Sequence, residues 1–220
     1  MPGAVRGDGC NIDDPAHREG PHAVLFDLDG VLVDSRATVE EAWGRFAARH
    51  GLDPEHVIAN CHGRRTVDLI RLVAPHLDAD GEAFLIEQEE VSSAGPIRAL
   101  PGARELLETV PADRFAIVTS GSRPLAVARL RAAGLPVPAV LVTAEDVERG
   151  KPDPAGYLSA AAQLGVEPAR SLVVEDSPAG VDAGLSARMN VIAVLTTNDE
   201  SALRAAHQRV PNLRALLPAP

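Results

Sequence analysis

Five short apolar runs punctuate the chain, at residues 22–26, 115–118, 140–142, 172–174 and 191–195. Each is Val- or Leu-bearing, free of polar alternation, and closed by polar or Gly-containing residues. Uninterrupted apolar segments of this length predict strands buried on both faces of a parallel sheet. Between the later runs, residues 103–110, 124–133, 155–164 and 178–187 carry apolar positions at helical spacing. Strand and helix alternating in this way predict an α/β, Rossmann-like core with a doubly wound parallel sheet.

One interval breaks the rhythm. From Ser35 to about Ala99 no strand pattern is visible, while residues 38–50, 66–76 and 82–91 read as helices. A βα connection usually takes only a few residues, so this stretch predicts a small inserted α-helical domain. The expected division is a core of residues 22–34 and 100–220, with residues 35–99 inserted and tethered near Asp34–Ser35 and Ala99–Gly102. Residues 1–21 are rich in Gly, Pro and Asp and have no apolar signal-type segment, which predicts a flexible leader.

Composition narrows the partners more than the fold. Aromatic residues are only 3% of the 220, so the core must be built from Ala, Val and Leu. A net charge of −10 gives no general attraction for nucleic acid or anionic membranes. No apolar run approaches the roughly 20 residues of a membrane span. Cys10 and Cys61 form neither a disulfide framework nor a Cys-x-x-Cys pair, so a reducing cytoplasm is the expected location. A monomer is the plainest expectation. A phosphate-bearing ligand would have to be drawn by local cations or a metal, since the global field repels it.

The first strand runs into Asp27-Leu28-Asp29-Gly30. Strand alternation turns Asp27 and Asp29 one way and Leu28 the other. Two carboxylates at the carboxyl end of a strand suit a hard cation such as Mg²⁺ and supply a nucleophile and an acid/base. A simple Asp-Gly turn accounts for them equally well. Three later stretches each follow a strand. Thr119-Ser120-Gly121-Ser122 offers hydroxyls and amides before a helix, as phosphate binding or as capping. In Gly150-Lys151-Pro152-Asp153-Pro154 the lysine is either placed by a stiff turn for electrostatic work or merely on the surface. Glu175-Asp176-Ser177-Pro178 is a second acidic pair, for a metal or for capping the helix that Pro178 starts. Four such stretches in chain order, each just after a strand, favour the chemical reading throughout.

These motifs, in this order and spacing over roughly residues 24–195, resemble those of the haloacid dehalogenase superfamily. The second Asp of Asp27-Leu28-Asp29-Gly30 is the mark of the superfamily's phosphoryl-transfer members. The resemblance implies a Mg²⁺-dependent phosphatase acting on a small phosphorylated metabolite. It implies that Asp27 attacks phosphorus, that Asp29 is the acid/base, and that Thr119 with Ser120 and Gly121 holds the phosphoryl group. Lys151 would neutralise charge, and Asp176 assisted by Glu175 would complete a metal site with Asp27 and Asp29. The insertion resembles the superfamily's small helical cap. Within it, His62-Gly63-Arg64-Arg65 resembles the segment of sugar- and polyol-phosphate phosphatases, such as those acting on glycerol phosphate and 2-deoxyglucose 6-phosphate. There His62, Arg64 and Arg65 would contact substrate or, alternatively, pair with carboxylates of the cap. Trp43 is expected in the insertion's own core. Two other functions fit the same motifs: a phosphomutase of the β-phosphoglucomutase type, and a non-catalytic regulator on this fold.

Overall fold

A computed structural model describes residues 21–92 and 97–217, so the expected leader and Cys10 lie outside the described residues. Strand β1 (Ala23–Phe26) leads through the two-residue β2 (Val33–Asp34) into helices α1 (Arg36–His50), α2 (Pro54–Ile58), α3 (Thr66–Val73) and α4 (Ala79–Ser92). The chain returns by β3 (Arg98–Ala99), then alternates α5 (Ala103–Thr109), β4 (Phe115–Val118), α6 (Arg123–Ala132), β5 (Val140–Val142), α7 (Ala155–Leu164), β6 (Ser171–Glu175), α8 (Pro178–Ser186), β7 (Asn190–Val194) and β8 (Gln208–Val210).

Six strands form one sheet in the order β5-β4-β1-β6-β7-β8, every neighbouring pair parallel. The alternation of side chains sorts each strand between two cores. Phe26, Phe115, Ile117 and Val174 pack with α5 and α6, while Leu25, Ala116, Val118 and Val173 pack with α7 and α8. Both sheet faces are therefore covered, which is why the strands read as unbroken apolar runs. Each large side chain so buried contributes about 1.5–3 kcal/mol before entropy is counted. From β1 the chain proceeds to β4 and β5 on one side, then crosses to β6 on the other. That switch opens a crevice at the carboxyl ends of β1, β4 and β6.

Helices α1 to α4 bury a cluster of their own, centred on Trp43, Phe46, Leu69, Ile70 and Ile86. In α1 the buried Ala42, Trp43, Phe46 and Ala47 form a single helical stripe, and Gly51 at φ 64° ends the helix. Trp43 packs edge-on against Phe46 with ring centroids 5.4 Å apart. Helix α3 stops at Val73, short of the expected His76, because the residue before Pro75 is forced out of helical geometry. The expectation of no strand before Ala99 fails at one point: β3 pairs antiparallel with β2, Val33 opposite Ala99 and Asp34 opposite Arg98. A two-residue pairing leaves no periodicity to read. It clamps together the two chain crossings between the sheet and these helices.

Candidate active site

The crevice gathers the carboxyl-end residues of four strands. Asp27 follows β1 and donates its backbone N–H to the carbonyl of Val174 at 3.0 Å. Leu28 is buried on the opposite side in the apolar core, as alternation requires. Gly30 takes φ 80°, and a Cβ there would overlap the Asp176 carboxylate, so only glycine lets the turn close over the site. Its carbonyl accepts a hydrogen bond from Thr196 Oγ1.

Lys151 reaches in from beyond β5 and is buried. Its ammonium donates to Asp27 Oδ1, to Glu175 Oε1 at 2.7 Å and to the Val118 carbonyl at 3.2 Å. Burial disfavours its charge, yet Asp27 and Glu175 hold it protonated, above the usual lysine range. Glu175 is committed on both oxygens. Oε1 also accepts from Tyr157 at 2.8 Å, and Oε2 accepts from the amides of Asp176 and Ser177 and from Ser177 Oγ. Burial opposes the charge of Glu175, but Lys151 and these donors outweigh it and hold the carboxyl below its usual range.

Asp27 and Asp176 behave oppositely. Burial raises Asp27 from 3.8 to about 7, helped by Glu175 and Asp29 and only partly offset by Lys151. Burial, then Glu175 and Asp27, raise Asp176 well above the usual value. Asp27, Glu175 and Asp176 each present an oxygen within 4.8 Å of the others. Two buried carboxylates short of positive charge fit a hard divalent cation. Glu175, already saturated by donors, fits it less well than Asp27 and Asp176.

Thr119 is buried after β4, and its Oγ1 accepts from Gly121 N at 3.1 Å. Ser120 turns its hydroxyl to the helical insertion and donates to the Gly63 carbonyl at 2.9 Å. Gly63, at φ 77°, lies so close to Ser177 that a Cβ would collide with its hydroxyl. The loop of residues 61–66 therefore sits directly on the crevice and closes a cavity of about 70 Å³, walled also by Trp43 and Leu125. Of the three insertion residues singled out in the sequence, two line it. His62 is half-buried, 3.7 Å from Glu40 Oε1, and burial lowers its pKa. Arg64 is exposed and makes no hydrogen bond or ion pair among the described residues. Arg65 is not in the cavity. Its guanidinium pairs with Asp68 at 2.6 Å and donates to the Val147 carbonyl at 3.1 Å, so it ties the insertion to the loop after β5. Carboxylate pairing, the alternative open in the sequence, holds for Arg65.

A family model for haloacid dehalogenase-like hydrolases matches residues 21–188. The chain belongs to that family. Among relatives of this hydrolase, hexitol phosphatase A of Escherichia coli is 50% identical over 175 residues, covering 77% of this chain and 81% of that protein. 2-Deoxyglucose-6-phosphate phosphatase 1 of Saccharomyces cerevisiae is 31% identical over 201 residues, covering 81% of this chain and 82% of that one. A crystal structure of a hydrolase from Pseudomonas syringae superposes with a TM-score of 0.78 at 28% identity, covering 87% of this chain and 94% of that one. The resemblance read from the motifs is borne out, as is the α/β class.

Several residues of the hydrolase's site carry no motif. Tyr157 lies on the buried face of α7 and supports Glu175. Asn198 donates to the Asp176 carbonyl at 3.0 Å, and Ser35 Oγ donates to Asp29 Oδ1 at 2.6 Å. Arg129 of α6 and Glu90 of α4 are buried and line the cavity. An acidic doublet ending a helix and an arginine beside Leu130 give no sign in sequence of facing inward. Only the spacing of Arg129 four residues after the apolar Leu125 hints at a shared face.

Proposed function

We propose that this hydrolase is a Mg²⁺-dependent phosphatase that cleaves the phosphate monoester of a small polyol or sugar through an aspartyl-phosphate on Asp27. The observation that carries the reading is the buried Asp27–Lys151–Glu175 network, set beside Asp176 and under a loop that presents His62 and Arg64. The 50% identity to hexitol phosphatase A supports a polyol leaving group.

Asp27 attacks phosphorus, the bond to the ester oxygen breaks, and Asp29 gives that oxygen its proton. Asp29 then takes a proton from water, which attacks the same phosphorus. The acyl-phosphate bond breaks, returning the Asp27 carboxylate and inorganic phosphate. Thr119 and the backbone amide of Ser120 hold phosphoryl oxygens, and the Gly121 N–H sets the Thr119 hydroxyl. Lys151 neutralises charge on Asp27 and on the transferred group, and Glu175 keeps Lys151 in place. Asp27, Asp176 and the backbone carbonyl of Asp29 would hold Mg²⁺, which when bound adds the positive charge that phosphoryl transfer needs. The helical insertion acts as a cap: it excludes water and presents His62 and Arg64 to the leaving group.

The test is phosphate release from a panel of polyol, sugar and short-chain acid phosphates, with Mg²⁺ and with chelator. Mg²⁺-dependent release from polyol or sugar members is the expected result. Indifference to chelator would remove the metal, and silence across the panel would overturn the phosphatase.

A further inference from the structure

The guanidinium of Arg129 joins two carboxylates that are distant in sequence. Nη1 lies 2.9 Å from Asp29 Oδ1, and Nη2 lies 2.6 Å from Glu90 Oε1. Glu90 comes from α4 in the insertion, whereas Arg129 comes from α6 beneath it. Both are buried, and both face the cavity. Beside this ion pair, Asp29 Oδ1 accepts a hydrogen bond from Ser35 Oγ at 2.6 Å.

Oδ1 thus meets a hydroxyl donor and a guanidinium charge at once, and the two together hold it in one place. With Oδ1 held by these two partners, Oδ2 is the oxygen left to face the leaving group. The planar, permanently charged fork of arginine reaches the two carboxylates through separate nitrogens in a fixed geometry. A buried guanidinium is costly unless paired on each side, so the arrangement stands only while α4 keeps Glu90 over the site. We propose that Arg129 is a positioning residue that fixes the carboxyl rotamer of Asp29 for proton transfer at Oδ2, and that Glu90 holds Arg129 there from the insertion. This rests on the phosphatase reading and goes beyond it, coupling the seating of the insertion to the acid/base.

The experiment compares kcat/KM for glycerol 1-phosphate and for p-nitrophenyl phosphate in wild type, Arg129→Gln and Glu90→Gln, with melting curves to establish folding. An alkoxide needs a proton to leave, whereas p-nitrophenolate leaves without one. kcat/KM ends at transfer to Asp27, so it reads the proton given to the leaving group and not the later attack of water. A positioned acid contributes about 10²–10⁴-fold. Arg129→Gln should therefore lower the alkyl substrate ~10–10²-fold more than the aryl one, and Glu90→Gln should give the same skew, several-fold smaller. Equal losses on both substrates, as from a purely structural role, overturn the proposal. If Arg129→Gln does not fold, Glu90→Gln decides alone: a skew supports the proposal, and equal or absent losses sink it. The double variant should lose no more than Arg129→Gln, because both act through one group; multiplied losses would remove Glu90 from the arrangement. Wild-type protein inactive on both substrates would instead overturn the phosphatase reading itself.

Discussion

On the sheet side of the cavity Asp27, Lys151, Glu175 and Asp176 are all buried, with Lys151 and Glu175 saturated by hydrogen bonds. On the insertion side His62 is half-buried beside Glu40, and Arg64 is exposed and unpartnered among the described residues. The two walls differ by an order of magnitude in what holds them. Breaking one partner of a buried ion pair costs about 3–5 kcal/mol, whereas an exposed ion pair is worth about 0–1 kcal/mol. On the proposed phosphatase reading, the rigid wall would face the part common to every phosphate monoester, which demands fixed placement of charge. On the same reading the loose wall would face the part that varies between substrates, where side chains free to rearrange can meet different hydroxyls.

The contrast can be broken at several places. Replacing the proposed nucleophile has the largest expected effect. Asp27→Asn should cost more than about 10⁴-fold in kcat with the fold intact by circular dichroism, and substantial residual turnover would strip Asp27 of its role. A pH and metal experiment tests whether the rigid wall is built around a cation. Asp27 and Glu90 are each raised to about 7, and Asp176 is raised as well. The fold therefore binds protons that the unfolded chain has released, so metal-free stability should fall as pH rises from about 4 to 8. The depressed Glu175 works in the opposite sense, its contribution being lost only as pH falls below about 4.5. In calorimetry with chelator the melting temperature should be lower at pH 8 than at pH 5.5. Mg²⁺ should recover it most at pH 8, by about 2.7 kcal/mol at a hundredfold excess over Kd. A melting temperature that climbs with pH in chelator would contradict the charge-starved site.

On the loose wall, Arg64→Ala should raise KM for a polyol phosphate about fivefold, a loss near 1 kcal/mol. Its kcat on p-nitrophenyl phosphate should not change. Equal effects on both substrates would show that Arg64 is structural. The smallest effect on turnover is expected from Arg65→Ala, which removes the hydrogen bond to the Val147 carbonyl and the pair with Asp68. It should cost about 0.5–1.5 kcal/mol in stability by denaturant titration. A larger effect on substrate preference than that of Arg64→Ala would reverse the places of the two arginines.

Why the rigid wall was legible, and the loose one less so, follows from how each is encoded. Asp27, Thr119 and Asp176 each sit just past a strand's end, so locating the strands located them, whereas Lys151 lies well beyond β5. Gly150 and Pro152 around Lys151, and Pro178 after Asp176, mark the turns in the sequence itself. His62, Arg64 and Arg65 share one loop, and no local pattern says which of three adjacent side chains faces a cavity. Arg65 turned away because Asp68, three residues on, and the Val147 carbonyl, far along the chain, offer it better partners than solvent does. Strands β2 and β3 escaped notice because two residues carry no period, and β8 because Gln208-Arg209-Val210 is mostly polar.

By itself the sequence determined the α/β alternation of the five longer apolar runs with the helices between them, and the motif residues that follow them. Apolar periodicity and turn residues act over a few neighbours and survive without a fold. Only the tertiary structure decided that Glu175 serves Lys151 on one oxygen and backbone amides on the other. It alone brought Arg129 and Glu90 together over Asp29, 39 residues apart in the chain. Such contacts depend on helices from separate units meeting at one crevice, and nothing in the flanking residues encodes that meeting.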